Sequence, residues 1–442
     1  MISVFDQGPP PPCPRPFNMA AHVLAHARDL ADKTALCVLH ANDSQNWRYG
    51  DLERAVRGTG TGLLRAGLTP GQIVLMRLGN TVDFPIAYLG AIAAGLVPVP
   101  TSSQLTAPEV ARMITDLDPG AVLRDPDVAS GAHPNMIDVA DLRAMRDLPP
   151  CDWHMGDADR MGYIVYTSGT SGKPRAVAHA HRAIWARQMM IKGWYDLGPD
   201  DRLCHAGAFN WTYTLGTGLM DPWAIGATAL IPAPGTDIAA LPALLRSHGA
   251  TIFAAAPGVY RKMLQGVEHM NAPALRHGLS AGEKLSRALH GAWRAATGTE
   301  LYEAYGMSEC STFISSSPAH PAQGDVLGRP QQGRRVAILG ADGPVEMGDE
   351  GTIAIARSDP GLMLGYLNAR DETGARMRGD WFVTGDRGAM APDGQITYLG
   401  RDDDMMNAGG YRVSPLEVEA ALAHFPGLGD IGVTQIEVKP GV

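Results

Sequence analysis

The chain has 442 residues, 45% hydrophobic and 19% charged, enough to bury a large core and longer than one hydrophobic core usually grows, which predicts at least two domains. Its formal charge of −9, with no block of Lys and Arg, leaves nucleic acid and an anionic membrane surface without an electrostatic footprint, and no apolar run reaches the roughly 18 residues that cross a bilayer. Five cysteines (Cys13, Cys37, Cys151, Cys204, Cys310), an odd number without any CxxC spacing, argue against a disulfide framework and against a zinc site.

The segment "QGPPPPCPRP" reads as an extended lead-in. With Asp6 before it, the N-terminus is not a signal peptide, and a cytoplasmic protein is expected. "FNMAAHVLAHARDLADK" carries helical apolar spacing. Then "ALCVL", "QIVLMRL", "LVPVP" and "AVLRD" read as strands, while "DLERAVRGTGTGLLRAG" and "DFPIAYLGAIAAG" read as helices. Alternation of this kind implies a mostly parallel sheet covered on both faces. It continues through "TALIPA", "IAALPALLRSHG" and "TIFAAAP". After about Gly328, short strands joined by Asp-Gly and Gly-Asp turns predict an antiparallel section. At "GRDDDMMNAGGYRVSPLEVEAALAHFPG" an acidic, Gly-containing joint leads to Ser414 as N-cap of a further helix. The expected fold is α/β: a large N-terminal domain of mixed, mostly parallel α/β subdomains plus an antiparallel β-barrel section, then an incomplete small α+β C-terminal domain. The expected boundaries are 1–402 and 403–442, with a hinge near Asp403.

The stretch "YIVYTSGTSGKPRAV" is a strand followed by a loop rich in backbone amides, hydroxyls and one cation. It is not a Walker loop, because only Thr170 and Ser171 separate Gly169 from Gly172, and Pro174 follows Lys173. It still suits a polyphosphate. Gly169 and Gly172 permit close backbone approach, Thr167, Ser168, Thr170 and Ser171 offer hydroxyls, and Lys173 brings charge.

"YTSGTSGKPR" resembles the phosphate loop of the adenylate-forming superfamily: acyl-CoA and aryl-CoA synthetases, peptide adenylation domains and luciferases. Four further stretches match in the family's order: "SAGEKL", "YEAYGMSE", "WFVTGDRG" and "GRDDDMMNAGGYRVSPLEVE". Five ordered motifs are far more specific than any one, and the resemblance covers nearly the whole chain.

The resemblance implies an acid-thiol ligase that uses ATP, Mg2+ and coenzyme A to convert a small carboxylic acid to its thioester through an acyl-adenylate. Thr167 to Lys173 would hold the leaving phosphates, Ser308 would bond the α-phosphate, and Glu309 would ligate magnesium. Thr167, Lys173, Ser308 and Glu309 thus form the expected catalytic set. Tyr305 would stack on adenine, with the backbone at Gly282, Glu283, Glu303 and Ala304 around it; Asp386 and Arg401 would hold the ribose. Asp403 matches the pivot position, and Gly409 and Gly410 would border the thiol channel. A homodimer is carried as the expected assembly.

The family's acid pocket is lined by segments that here read "HAGAFNWTYTLGTG", "AAAPGVY" and "SAG". Phe209, Trp211, Tyr213, Tyr260 and Ala281 are the expected walls. Acetate-activating members resemble "WWQTE" where this chain has "YGMSE", so Gly306 replaces a bulky Trp and leaves room for a larger acyl group. No strongly placed cation or carboxylate occurs in those segments, which disfavours an amino acid and favours a medium-chain, branched or aromatic monocarboxylate.

The family's catalytic lysine, which lies near the end of its small domain, has no counterpart in the residues given. Lys439 comes too early and outside a matching motif. The chain as written is therefore expected to be poor at adenylation. Two other readings stay open: a stand-alone adenylation enzyme that loads a carrier protein, and a non-catalytic nucleotide- or acyl-adenylate-binding protein.

Overall fold

In the computed structural model the described residues are 1–40, 43–167, 174–324, 326–402, 406–408, 411–413, 415–422, 425, 431–434 and 436. A nine-stranded sheet runs in the order Arg329–Pro330, Ser311–Ser315, Glu300–Met307, His277–Ala281, Ile252–Ala255, Arg202–His205, Thr228–Pro232, Thr34–Leu39, Ser44–Arg48. From Glu300–Met307 to Thr34–Leu39 every pairing is parallel, and antiparallel strands close both edges. The inner strands are nearly unbroken apolar runs, because a parallel strand is covered on both faces. Cys37, Leu230, Phe253, Tyr260 and Trp293 join one such core.

A second sheet, Val97–Pro100, Ile73–Arg77, Ala121–Arg124 and Met136–Asp138, is wholly parallel. Against it lies the helix Asp83–Ala93, apolar beyond the ion-paired Asp83 and buried along its whole length. The amphipathic helix Ala107–Leu117 starts at a capping box formed by Thr106 and Glu109. A three-stranded antiparallel sheet (Gly365–Tyr366, Arg175–Ala180, Met161–Thr167) carries Thr167 at the end of its last strand. The antiparallel section after Gly328 is a six-stranded sheet in which Trp381–Met390 pairs with Glu350–Ala356, Met377–Arg378 and Ile396–Arg401.

The alternation of strands and helices stands as expected, with one shortening. The helix expected over "FNMAAHVLAHARDLADK" is only Met19–Val23, capped by the Asn18 side chain on the amides of Ala20 and Ala21, and turns follow. Its apolar residues are held by the core even where the backbone is not helical: Leu24 and Ala27 are buried too. Past Arg401 there is a hairpin, Met406–Ala408 with Tyr411–Val413, and the helix Pro415–Leu422. Residues 431–434 form no strand. Ser414 and Asp403, Gly409 and Gly410 lie outside the described residues, as do Ser168, Gly169, Thr170, Ser171, Gly172 and Lys173 of the loop.

All five cysteines are free thiols, with Cys37, Cys204 and Cys310 buried. Among the described residues no helix is long and apolar enough to cross a membrane.

Candidate active site

Parallel strands deliver the residues that follow them to one edge of the sheet, and two cavities lie there. The first, about 340 Å3, is lined by Thr167, Gly282, Glu283, Glu303, Ala304, Tyr305, Gly306, Ser308, Glu309, Asp386 and Arg401, all named from the sequence. Residues from five separate stretches of chain thus meet around one space. Its cations are Arg175, Lys284, Arg376 and Arg401, and its carboxylates are Glu283, Glu303, Glu309 and Asp386.

Tyr305 donates its hydroxyl to Asp386 Oδ2 at 2.5 Å, joining the central sheet to the antiparallel one. Its ring meets Phe313 edge-on at 5.3 Å and leans on Tyr398 at 5.8 Å, which fixes the plane of the phenol. Burial, reinforced by the neighbouring Asp386, pushes the Tyr305 hydroxyl well above its ordinary pKa, so it stays a donor. Arg401 is the cross-strand partner of Asp386, with Nε 4.0 Å from Oδ1. Glu303 accepts the Leu285 amide at 3.0 Å on its side chain.

Glu309 is 7% exposed, and its Oε1 accepts the Tyr366 hydroxyl at 2.6 Å. The Arg175 guanidinium lies 5.1 Å from the Tyr366 ring centre and pairs with Glu372 at 2.9 Å. Among the described residues no group of three or more His, Cys, Asp or Glu can hold a metal. The oxygen chemistry of Glu309 fits a hard cation that brings its other ligands with it, on phosphates and water.

The second cavity, about 280 Å3, opens beside the first and shares Gly282, Gly306, Met307 and Ser308 with it. Of the expected walls, Trp211, Tyr213, Ala281 and Gly306 line it. Phe209 and Tyr260 do not. Phe209 is fully buried in the core, its amide on Asn80 Oδ1 at 2.6 Å, and Tyr260 turns its hydroxyl to the carbonyls of Phe253 and Leu279. An aromatic with every polar atom satisfied by neighbouring backbone belongs to the core. Gly306 is glycine for a further reason: a Cβ there would stand 2.1 Å from the Ser311 carbonyl oxygen of the paired strand. Gly282, at φ +97°, takes a conformation open to glycine.

Sequence reading missed several lining residues, namely Tyr88, Tyr163, His179, Arg187, Thr217, Ser311 and Thr312. It also placed no ion there, and this is corrected by Arg187. The guanidinium bonds Asp221 through Nη2 at 2.6 Å and Nε at 2.9 Å, and Ser311 Oγ through Nη1 at 2.6 Å. Burial would lower its pKa, but the Asp221 carboxylate outweighs burial and the net shift is upward, so the group is a permanent cation. A signal existed. Asp221 is the single charged residue in "TYTLGTGLMDPWAIGATAL", and a lone charge in an apolar run needs a buried partner.

His179 stacks on Tyr163 with ring centres 4.8 Å apart, and its Nε2 is 2.8 Å from the Ser308 carbonyl oxygen. That contact makes Nε2 the protonated nitrogen, leaving Nδ1 a buried acceptor without a partner among the described residues. Burial lowers the His179 pKa to about 4, so the ring is neutral at neutral pH.

The sequence matches the model of the AMP-binding enzyme family over residues 23–367. It is 28% identical over 441 residues to a 3-hydroxybenzoate–CoA ligase of Aromatoleum sp. (strain CIB), covering 94% of this chain and 83% of that one. It is 26% identical over 454 residues to the mitochondrial acyl-coenzyme A synthetase ACSM2 of Rattus norvegicus, covering 95% and 79%. The fold superposes on a benzoate CoA ligase from Burkholderia xenovorans LB400 with a TM-score of 0.81 at 27% identity, covering 92% and 84%.

Proposed function

The chain belongs to the AMP-binding enzyme family, and from that premise we propose that it is an acid-thiol ligase acting on an aromatic or medium-chain carboxylic acid. ATP, the acid and coenzyme A are its substrates. The observation that carries this reading is the junction of two cavities at Gly282, Gly306, Met307 and Ser308. A carboxylate from the second cavity and an α-phosphate from the first can meet only there. The family's named relatives, aryl- and acyl-CoA ligases, support the same reaction.

The chemistry runs in two displacements. An acid oxygen attacks the α-phosphorus, the bond to the β-phosphate oxygen breaks, and pyrophosphate leaves. The thiol sulfur of coenzyme A then attacks the acyl carbonyl, its proton passes to solvent, the bond to the phosphate oxygen breaks, and AMP leaves. Positioning and charge neutralisation supply most of the rate.

On this reading the Tyr305 ring takes one face of adenine, while Asp386 and Arg401 hold the ribose hydroxyls. The backbone around Gly282, Glu283, Glu303 and Ala304 borders the base. Thr167 and the residues through Lys173 hold the β- and γ-phosphates, and Ser308 bonds the α-phosphate. Glu309 holds Mg2+, which supplies charge neutralisation at the phosphates when bound. Tyr366 orients that carboxylate.

The remaining assignments are proposals too: a large domain over 1–402, a small one begun at 403–442 with its hinge at Asp403, a thiol channel bordered by Gly409 and Gly410, a homodimer and a cytoplasmic site of action. The test is incubation with ATP, Mg2+, coenzyme A and a panel of benzoates and medium-chain acids, following AMP and thioester by mass. The reading predicts thioester from at least one acid, or, for a chain slow in adenylation, thioester from a supplied acyl-adenylate. Carrier-protein loading with no CoA thioester would favour the stand-alone adenylation enzyme instead.

A further inference from the structure

Arg187 lines the acid cavity and is absent from the lining of the nucleotide cavity. It is not one of the four residues that the two cavities share. We propose that Arg187, together with the Ser311 hydroxyl, recognises a neutral hydroxyl substituent carried by the acid away from its carboxylate. This deepens the reading above and rests on it, since it concerns the acyl end of the same ligand.

The donor count carries the first step. A guanidinium offers five N–H groups. Nε and one hydrogen of Nη2 go to Asp221, the second hydrogen of Nη2 goes to Tyr195 at 3.2 Å and Thr217 at 3.3 Å, and one hydrogen of Nη1 goes to Ser311. Among the described residues the second hydrogen of Nη1 has no acceptor. A donor on a charged, largely buried group is costly to leave unmet, and an oxygen of the ligand meets it.

Two backbone features point to the same spot. Ser311 sits at φ +62°, a conformation that residues with a side chain adopt at a cost, and there its Oγ lies on Arg187. Gly216 lines the cavity as well, and a Cβ on it would stand 2.4 Å from Arg187 Nη2. The chain thus gives up a side chain at one position and a relaxed backbone at another, and the guanidinium gains from both.

Charge then selects the substituent. Asp221 already balances Arg187 at 2.6 Å, so a carboxylate brought to Nη1 would add a second negative charge to a buried pair. A hydroxyl accepts from Nη1 without that penalty. It also donates, and Ser311, which lines the cavity, supplies an acceptor for its proton in Oγ.

The experiment measures dissociation constants of non-hydrolysable acyl-adenylate mimics by calorimetry on the full chain: benzoyl, the three monohydroxybenzoyl isomers, 4-carboxybenzoyl and hexanoyl, with AMP as reference. At least one hydroxybenzoyl mimic is expected to bind about tenfold tighter than benzoyl, and carboxybenzoyl weaker than benzoyl. Arg187→Lys keeps a cation beside Asp221 but loses the planar fork, and Ser311→Ala removes only the hydroxyl. In both, the hydroxybenzoyl-to-benzoyl ratio is expected to fall to within about threefold of unity, and AMP titrated alongside reports whether the nucleotide cavity is intact. A ratio near unity in the unaltered chain, tighter binding of carboxybenzoyl, or a ratio that survives both substitutions overturns the proposal. If no acyl mimic binds tighter than AMP, it is the ligase reading itself that fails.

Discussion

The Tyr305 hydroxyl and the Asp386 carboxylate, 81 positions apart in the chain, meet at 2.5 Å across the gap between two sheets. The bond ties together the surfaces on which the proposed nucleotide would rest. Tyr305→Phe leaves Asp386 in place with one donor fewer and keeps the ring. AMP affinity measured by calorimetry is expected to fall about fivefold to tenfold, with a loss of about 1 kcal/mol in unfolding free energy. Unchanged affinity would remove the pair from the site.

Tyr366 holds Glu309 at 2.6 Å. Tyr366→Phe releases that oxygen, and residues that orient a metal-binding carboxylate are typically worth about 10- to 100-fold in metal affinity. The expected outcome is a Mg2+ requirement shifted upward by about tenfold in a nucleotide-binding titration, with AMP binding in the absence of Mg2+ altered far less.

Gly306→Ala distinguishes two reasons for a glycine. If space for the acid were the whole reason, the change would narrow the acyl range and leave stability alone. The Cβ would stand 2.1 Å from the Ser311 carbonyl oxygen, so a destabilisation of about 1–3 kcal/mol is expected as well, read as a lowered midpoint in urea.

Five histidines, the buried His179, His181, His205 and His277 and the half-buried His22, have pKa values lowered by burial to about 4, 3, 3, 4 and 4. Their folded values lie below the unfolded value of 6.5, so between them the unfolded chain binds more protons. Stability is full above pH about 6.5 and is lost as pH falls toward 4, by about 1.4 kcal/mol per pH unit for each histidine in that window. Thermal midpoints taken from pH 7.5 to 4.5 check the sign. His181→Gln should flatten the curve.

Arg334 and Asp359 form an ion pair with side chains 0% and 1% exposed. Removing one partner strands the other, and Arg334→Met alone is expected to cost about 3–5 kcal/mol, less when combined with Asp359→Leu. Chemical denaturation of the three variants separates the pair from a simple loss of packing.

The sequence by itself determined the layered α/β body, the change to antiparallel strands after Gly328 and the eleven named residues that line the first cavity. These were legible because local chemistry sets them: apolar runs make covered strands, Asp-Gly turns reverse the chain, and ordered motifs carry a family's phosphate chemistry. The tertiary structure alone decided the walls of the second cavity. Phe209 sits close in sequence to the wall residue Trp211 and Tyr260 does not border the cavity at all, and both rings complete the core, while Tyr163 reaches the wall from the strand that ends at Thr167 and His179 and Arg187 from the stretch after residues 168–173. No local pattern encodes that outcome. Which face of a strand or helix turns to a cavity depends on what packs against its other face, and Arg187 becomes a wall cation only because Asp221, 34 positions on, is folded against it.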